Sequence, residues 1–106
     1  MRLVMMGTGP FAVPAFRALY ATRHTIVALV TGAIKNRRGQ LPPSPMRVLA
    51  EARGTPIFDP EDVNGPEARA RLVEFGADLF VVCDYGQILS AETLAAARLG
   101  GINLHA

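Results

Sequence analysis

Asn103 and His105 stand two residues apart in the run Ile102-Asn103-Leu104-His105, close to the end of a 106-residue chain. In an extended strand, side chains alternate between faces. The two polar groups would then share one face about 7 Å apart, with Ile102 and Leu104 on the other. An amide can donate to a developing oxyanion, and an imidazole can move a proton near neutral pH. A hydrogen-bonded structural histidine at a strand end fits the same spacing. A second constellation is Asp84-Tyr85-Gly86-Gln87-Ile88-Leu89. A loop rich in accessible backbone, with an apolar pair beside it, can grip a flat heterocycle by main-chain hydrogen bonds and packing. An ordinary strand-to-helix loop that packs Ile88 and Leu89 reads the same.

The third constellation is Gly7-Thr8-Gly9-Pro10-Phe11-Ala12, which satisfies the G-x-G-x-x-A spacing of dinucleotide-binding turns. Glycines permit the tight turn, and a following helix N-terminus favours an anion. Against that reading, Pro10 has no N–H to offer. The first acidic residue of the chain is Glu51, so no carboxylate follows the second apolar run to hold a ribose hydroxyl. A plain strand–helix turn and a loop for another substrate remain open. The fourth constellation is basic: Lys35, Arg37 and Arg38, with Arg47 beyond them and no acid between. Such a set suits phosphate contacts, and a solvated loop is equally consistent. No aromatic residue interleaves these cations, so base stacking is not indicated. Cys83 lacks a neighbouring base and reads as a small buried hydrophobe. His24, after Arg23 in a turn, reads as a surface residue.

The elements that must position these groups show in the apolar patterning. Short, nearly continuous apolar runs predict strands over Arg2–Met6, Thr25–Thr31, Pro56–Phe58, Leu79–Cys83 and Ile102–His105. Runs of this kind, rather than strict alternation, suit strands buried on both faces of a parallel sheet. Helices are predicted between them. Phe11–Thr22 carries an apolar stripe at Val13, Phe16 and Tyr20, with Pro14 in its first turn. Pro45–Arg53 follows Ser44 as N-cap and stops at Gly54. Asn64 with Glu67 resembles a capping box for a helix ending at Phe75 before Gly76. Ser90 caps a helix through Ala97, with Glu92 favourable near its N-terminus. The β-α-β-α-β-α-β-α-β order predicts a three-layer α/β fold with right-handed crossovers. The one long irregular stretch, residues 32–43, is of a length that is often functional.

Composition bounds the alternatives. With 50% hydrophobic and 19% charged residues, the chain suits one small globular domain and not a disordered segment. No apolar run approaches the ~20 residues of a membrane span. The start is too short in apolar residues for a secretory signal, so a cytoplasmic protein is expected. A single cysteine excludes an internal disulfide and a cysteine-cluster zinc site, and no metal is expected. The net charge of +2 hides a split. Residues 1–50 carry seven Lys/Arg and no acid, and residues 51–106 carry four Arg and nine Asp/Glu. The basic half hints at a polyanionic partner. The last predicted strand runs to the chain end, at the sheet edge where α/β folds place ligands, so the chain is expected to be part of a longer protein.

Four strings resemble, in order and spacing, the N-terminal part of the methionyl-tRNA formyltransferase family: RLVMMGTGPFAVPAF, PPSPMRVLAEARGTPIF, DLFVVCDYGQIL and LGGINLHA. This family belongs to the folate-dependent formyltransferases. The resemblance implies a Rossmann-like three-layer α/β sandwich with a mainly parallel sheet, of which residues 1–106 would reach about the fifth strand. The remainder of the catalytic domain and a C-terminal tRNA-binding domain would lie beyond Ala106, together with a catalytic Asp. It implies transfer of a formyl group from 10-formyltetrahydrofolate to the amino group of initiator methionyl-tRNA by an enzyme expected to be monomeric. Asn103 and His105 would be the catalytic pair. Gly86, Gln87, Ile88 and Leu89 would hold the pterin. Gly7, Thr8 and Phe11 would meet the acceptor, and Lys35, Arg37 and Arg38 the tRNA. A 106-residue piece is expected to be inactive alone. The chain departs from the usual family pattern at Gly9-Pro10, where Pro and an acid are common, and at Asp84, where a small residue is common. Its basic loop is also short. A relative acting on another acceptor or hydrolysing the donor, a dinucleotide-binding module and a non-catalytic remnant are the alternatives.

Overall fold

The computed structural model describes residues 1–33 and 44–105. The strands are β1 (Arg2–Met6), β2 (Thr25–Val30), β3 (Ile57–Phe58), β4 (Leu79–Cys83) and β5 (Gly101–Leu104). They form one all-parallel sheet in the order β3-β2-β1-β4-β5. The helices are α1 (Val13–Tyr20), α2 (Pro45–Ala52), α3 (Pro66–Glu74) and the short α4 (Ala91–Leu94). The predicted strand–helix alternation and α/β class are therefore those of the structure.

The period-two alternation of a strand sends successive side chains to opposite faces, and both faces here are apolar. Leu3, Met5, Leu29, Val81 and Cys83 pack against Phe16 of α1 and Met46 and Ala50 of α2. Val4, Met6, Val30, Phe80 and Val82 pack on the other face with Leu72 of α3 and with Ala97. This two-sided burial makes the strands read as continuous apolar runs, and it gives three layers.

Several local expectations are corrected. The first helix begins as a 3₁₀ turn over Pro10–Ala12 and is regular only from Val13. The last helix is regular only to Leu94, and i→i+3 bonds from Ala96 and Ala97 carry the chain onward. Ser90 caps it as expected, accepting from the Thr93 amide at 3.1 Å. Ser44 occupies the N-cap position of α2 but makes no capping bond, and its hydroxyl is buried without a partner among the described residues. Asn64 is not the cap of α3. Pro66 takes the first helical position, and its neighbour Gly65, extended at ψ 155, is the N-cap. β5, read as a strand buried on both faces, is the edge of the sheet among the described residues and is exposed along its whole length. It pairs only with β4.

Candidate active site

The strand order reverses between β1 and β4. The chain runs outward through β2 and β3, then returns to lay β4 and β5 on the other side. In open parallel sheets the crevice beyond the carboxyl ends at such a point is the favoured ligand site. Three segments meet there: the turn after β1, the loop after β4 and the end of β5.

The turn after β1 is built by close backbone approach. The Gly7 amide donates to Val30 O at 3.0 Å, and a Cβ on Gly7 would sit 2.5 Å from the Cys83 carbonyl. The amides of Thr8 and Gly9 both donate to Asp84 O, at 2.9 and 3.3 Å. The Thr8 hydroxyl accepts from the Gly32 amide at 2.9 Å. Gly7 and Thr8 thus lock three loops together and do not border the groove described below. The same bonds answer the dinucleotide question. From Gly7 to Pro10 every backbone donor already has an internal partner, and Pro10 has none to give. No ring of free amides remains to cradle a pyrophosphate.

The loop after β4 is riveted from behind by two side-chain amides. Asn64 Nδ2 donates to Ile88 O at 2.8 Å, while its Oδ1 accepts from the Ser90 amide at 2.8 Å and the Thr93 hydroxyl at 2.7 Å. Gln87 Oε1 accepts from the Val63 amide at 2.8 Å, and its Nε2 donates to Pro60 O at 3.2 Å. Gln87, expected on the pterin, therefore has its amide engaged with the 60–63 segment. Ile88 is 90% exposed, and Leu89 packs into the core beneath the loop. Gly86 is exposed, with open space above its Cα. Tyr85 is half-buried, and burial pushes its hydroxyl up to about 12, so it is a neutral group at any working pH. Burial, and then the Asp84 carboxylate, push the Cys83 thiol up, in keeping with an inert core cysteine.

A groove of about 570 Å³ runs between this loop and β5. Asp84, Tyr85, Gln87, Ile88 and Leu89 border one side, Gly101 to His105 the other, and Phe11, half exposed, also lines it. Asn103, paired in register with Val82, and His105, just past the strand, thus share one groove with Phe11 and the 84–89 loop. Ile102 and Leu104 border it too, contrary to the expectation that they face away. The wall is the open edge of a strand, so consecutive residues reach it. Asn64 went unrecognised as a site-supporting residue. The only sequence sign was Gly65-Pro66 after it, which moves the helix start one residue on.

Lys35, Arg37 and Arg38 lie outside the described residues. Arg47, grouped with them in the sequence, is turned inward. It donates to Gly32 O at 2.8 Å and to Asp59 at 2.7 Å, with its side chain 14% exposed. His24 accepts from the N-terminal amino group at 2.8 Å, away from the groove. No described helix is long and apolar enough to cross a membrane.

A doubly wound parallel sheet with a groove at the carboxyl ends of its strands defines an α/β fold of the Rossmann-like kind. The formyl transferase family model matches residues 1–106, and the chain belongs to that family. Methionyl-tRNA formyltransferase of Rhodopirellula baltica is 49% identical over 111 residues, covering 99% of this chain. Those of Symbiobacterium thermophilum and Methylococcus capsulatus are each 44% identical over 108 residues and cover all of it. The chain spans about a third of the length of these relatives, 33% to 35%. Among solved structures, phosphoribosylglycinamide formyltransferase from Bacillus halodurans superposes with a TM-score of 0.71 at 16% identity. It covers 99% of this chain, which in turn covers 56% of that protein, and the likeness is one of fold.

Proposed function

We propose that this chain forms the donor-binding part of an enzyme that transfers a formyl group from 10-formyltetrahydrofolate to the amino group of initiator methionyl-tRNA. The observation that carries the reading is the single groove bordered by both the 84–89 loop and the Asn103/His105 pair. Its volume and its walls of Tyr85, Leu89 and Ile102 suit a flat heterocycle, with main-chain groups of residues 86–89 for the pterin edge. The bound folate supplies the activated formyl group. Asn103 donates its amide N–H where negative charge grows on the formyl oxygen. His105 carries a proton between the incoming amine and the departing folate nitrogen. Phe11 offers an apolar face to the methionyl end, while Gly7 and Thr8 act as framework. Lys35, Arg37 and Arg38 meet the tRNA phosphates.

Three relatives carry the methionyl-tRNA name at 44% to 49% identity over nearly the whole chain, which favours this acceptor over others. Titration of the ¹⁵N-labelled chain with 5-formyltetrahydrofolate and, separately, with NAD tests the donor. Saturable shifts at Gly86–Leu89 and Asn103 with folate alone are expected. Binding of NAD with shifts at Gly7–Gly9, and none with folate, would overturn the reading.

A further inference from the structure

We propose that Asp84 is an acceptor-recognising residue, whose carboxylate receives the cationic amino group of the substrate; this rests on the formyl-transfer reading above. Asp84 is the one described non-glycine residue with a left-handed backbone, at φ 53. That conformation is unfavourable for most side chains and is tolerated best by Asn and Asp. It is held there by the two amides of the β1 turn, those of Thr8 and Gly9, that converge on its carbonyl. The consequence is a fixed backbone from which the carboxylate projects at the junction of the two loops.

That carboxylate lies directly over Gly9, where any Cβ would overlap it. Gly9 and Asp84, 75 positions apart in sequence, come together here. The absence of a side chain at one makes room for the acid at the other. Asp84 also borders the same groove as Phe11, Asn103 and His105. Among those groove-lining residues it is the sole acid. An α-amino group has an ordinary pKa near 8, so an amine acceptor arrives mainly as a cation at neutral pH. A carboxylate in the groove that Phe11 and the Asn/His pair also border attracts that cation and turns away neutral isosteres.

The test uses methioninamide and its desamino analogue, 4-(methylthio)butanamide, titrated at pH 6 into the 106-residue chain saturated with 5-formyltetrahydrofolate. The native chain should bind the amine about five-fold more tightly than the desamino compound, the size expected of one partly exposed ionic hydrogen bond. Asp84→Asn keeps the left-handed tolerance and the carbonyl, and should bring that ratio to about one. Asp84→Gly relieves the backbone and removes the carboxylate, and should do the same even if the Asn variant folds poorly. Both variants are read at saturating folate, so the ratio does not depend on any change in folate affinity. An unchanged preference for the amine in both variants would overturn the assignment. If the native chain binds no folate, the formyl-transfer reading itself fails and takes this assignment with it.

Discussion

Replacing Asn64 by Ala removes three hydrogen bonds at once: its donation to Ile88 O, and its acceptance from the Ser90 amide and the Thr93 hydroxyl. The residue is half-buried, so each bond contributes about 0.5–1.5 kcal/mol net, and the three together about 2–3 kcal/mol. In a domain of this size, each kcal/mol moves the melting temperature by about 4–8 °C. Asn64→Ala should therefore melt roughly 10–20 °C below the native chain. Asn64→Asp retains the acceptor and loses the donor to Ile88, so it should fall between them. The functional consequence is separate. Ligand binding would have to fix again a loop no longer held from behind, at about 1–2 kcal/mol for even one residue. The affinity for 5-formyltetrahydrofolate should fall by about ten-fold, measured by calorimetry at a temperature where both proteins are folded. A melting temperature within about 2 °C of native, with unchanged folate affinity, would refute the claim that Asn64 holds the loop.

Two further outcomes follow from other parts of the molecule. Asp78 accepts from the Arg2 amide at 2.8 Å and from Arg98 Nε at 3.2 Å, and these bonds, the backbone one foremost, hold its carboxyl below the usual carboxylate range. Its contribution is complete above the unfolded value near 3.9 and is lost as pH falls through the folded one; Asp78→Asn should lower the melting temperature at pH 7 and flatten its decline below about pH 4, and an identical pH profile would refute this. Changing Arg37 and Arg38 to Gln should weaken tRNA binding and lower the slope of log K against log salt by about 1–2, whereas an unchanged slope would return that loop to the solvated alternative.

The fold was legible because burial on both sheet faces leaves a continuous apolar signature in Leu79–Cys83 and Thr25–Val30 that survives without any partner in view. Strand position was not. Whether β5 is central or an edge depends on what lies beside it, and Ile102 and Leu104 look equally suited to both. Local rules failed where proline outranked them. Pro66 fixes the first helical position, so counting three residues back from Glu67 named Asn64 a cap, when its amide acts across 24 to 29 positions of sequence. The site residues were legible as pieces. Asn103, His105 and the 84–89 loop each stood out by type or spacing, and their shared groove came only with the register of β5 on β4. Gly7 and Thr8 stood out by spacing alone. The glycine spacing that suggests ligand contact serves backbone packing against Cys83 and Asp84. Arg47 belongs by sequence to a basic cluster and by geometry to Asp59.

The central claim is that the groove between the 84–89 loop and β5 is a formyl-transfer site. The measurement that meets it most directly is formyl transfer by a chimera in which residues 1–106 replace the matching segment of the Rhodopirellula baltica enzyme. With 10-formyltetrahydrofolate and initiator methionyl-tRNA, the chimera should turn over, and His105→Ala should lower kcat by at least ~100-fold, as expected for a group that moves a proton or stabilises an oxyanion. A folded chimera that binds both substrates without transferring formyl, or a His105→Ala variant with undiminished kcat, would contradict the account.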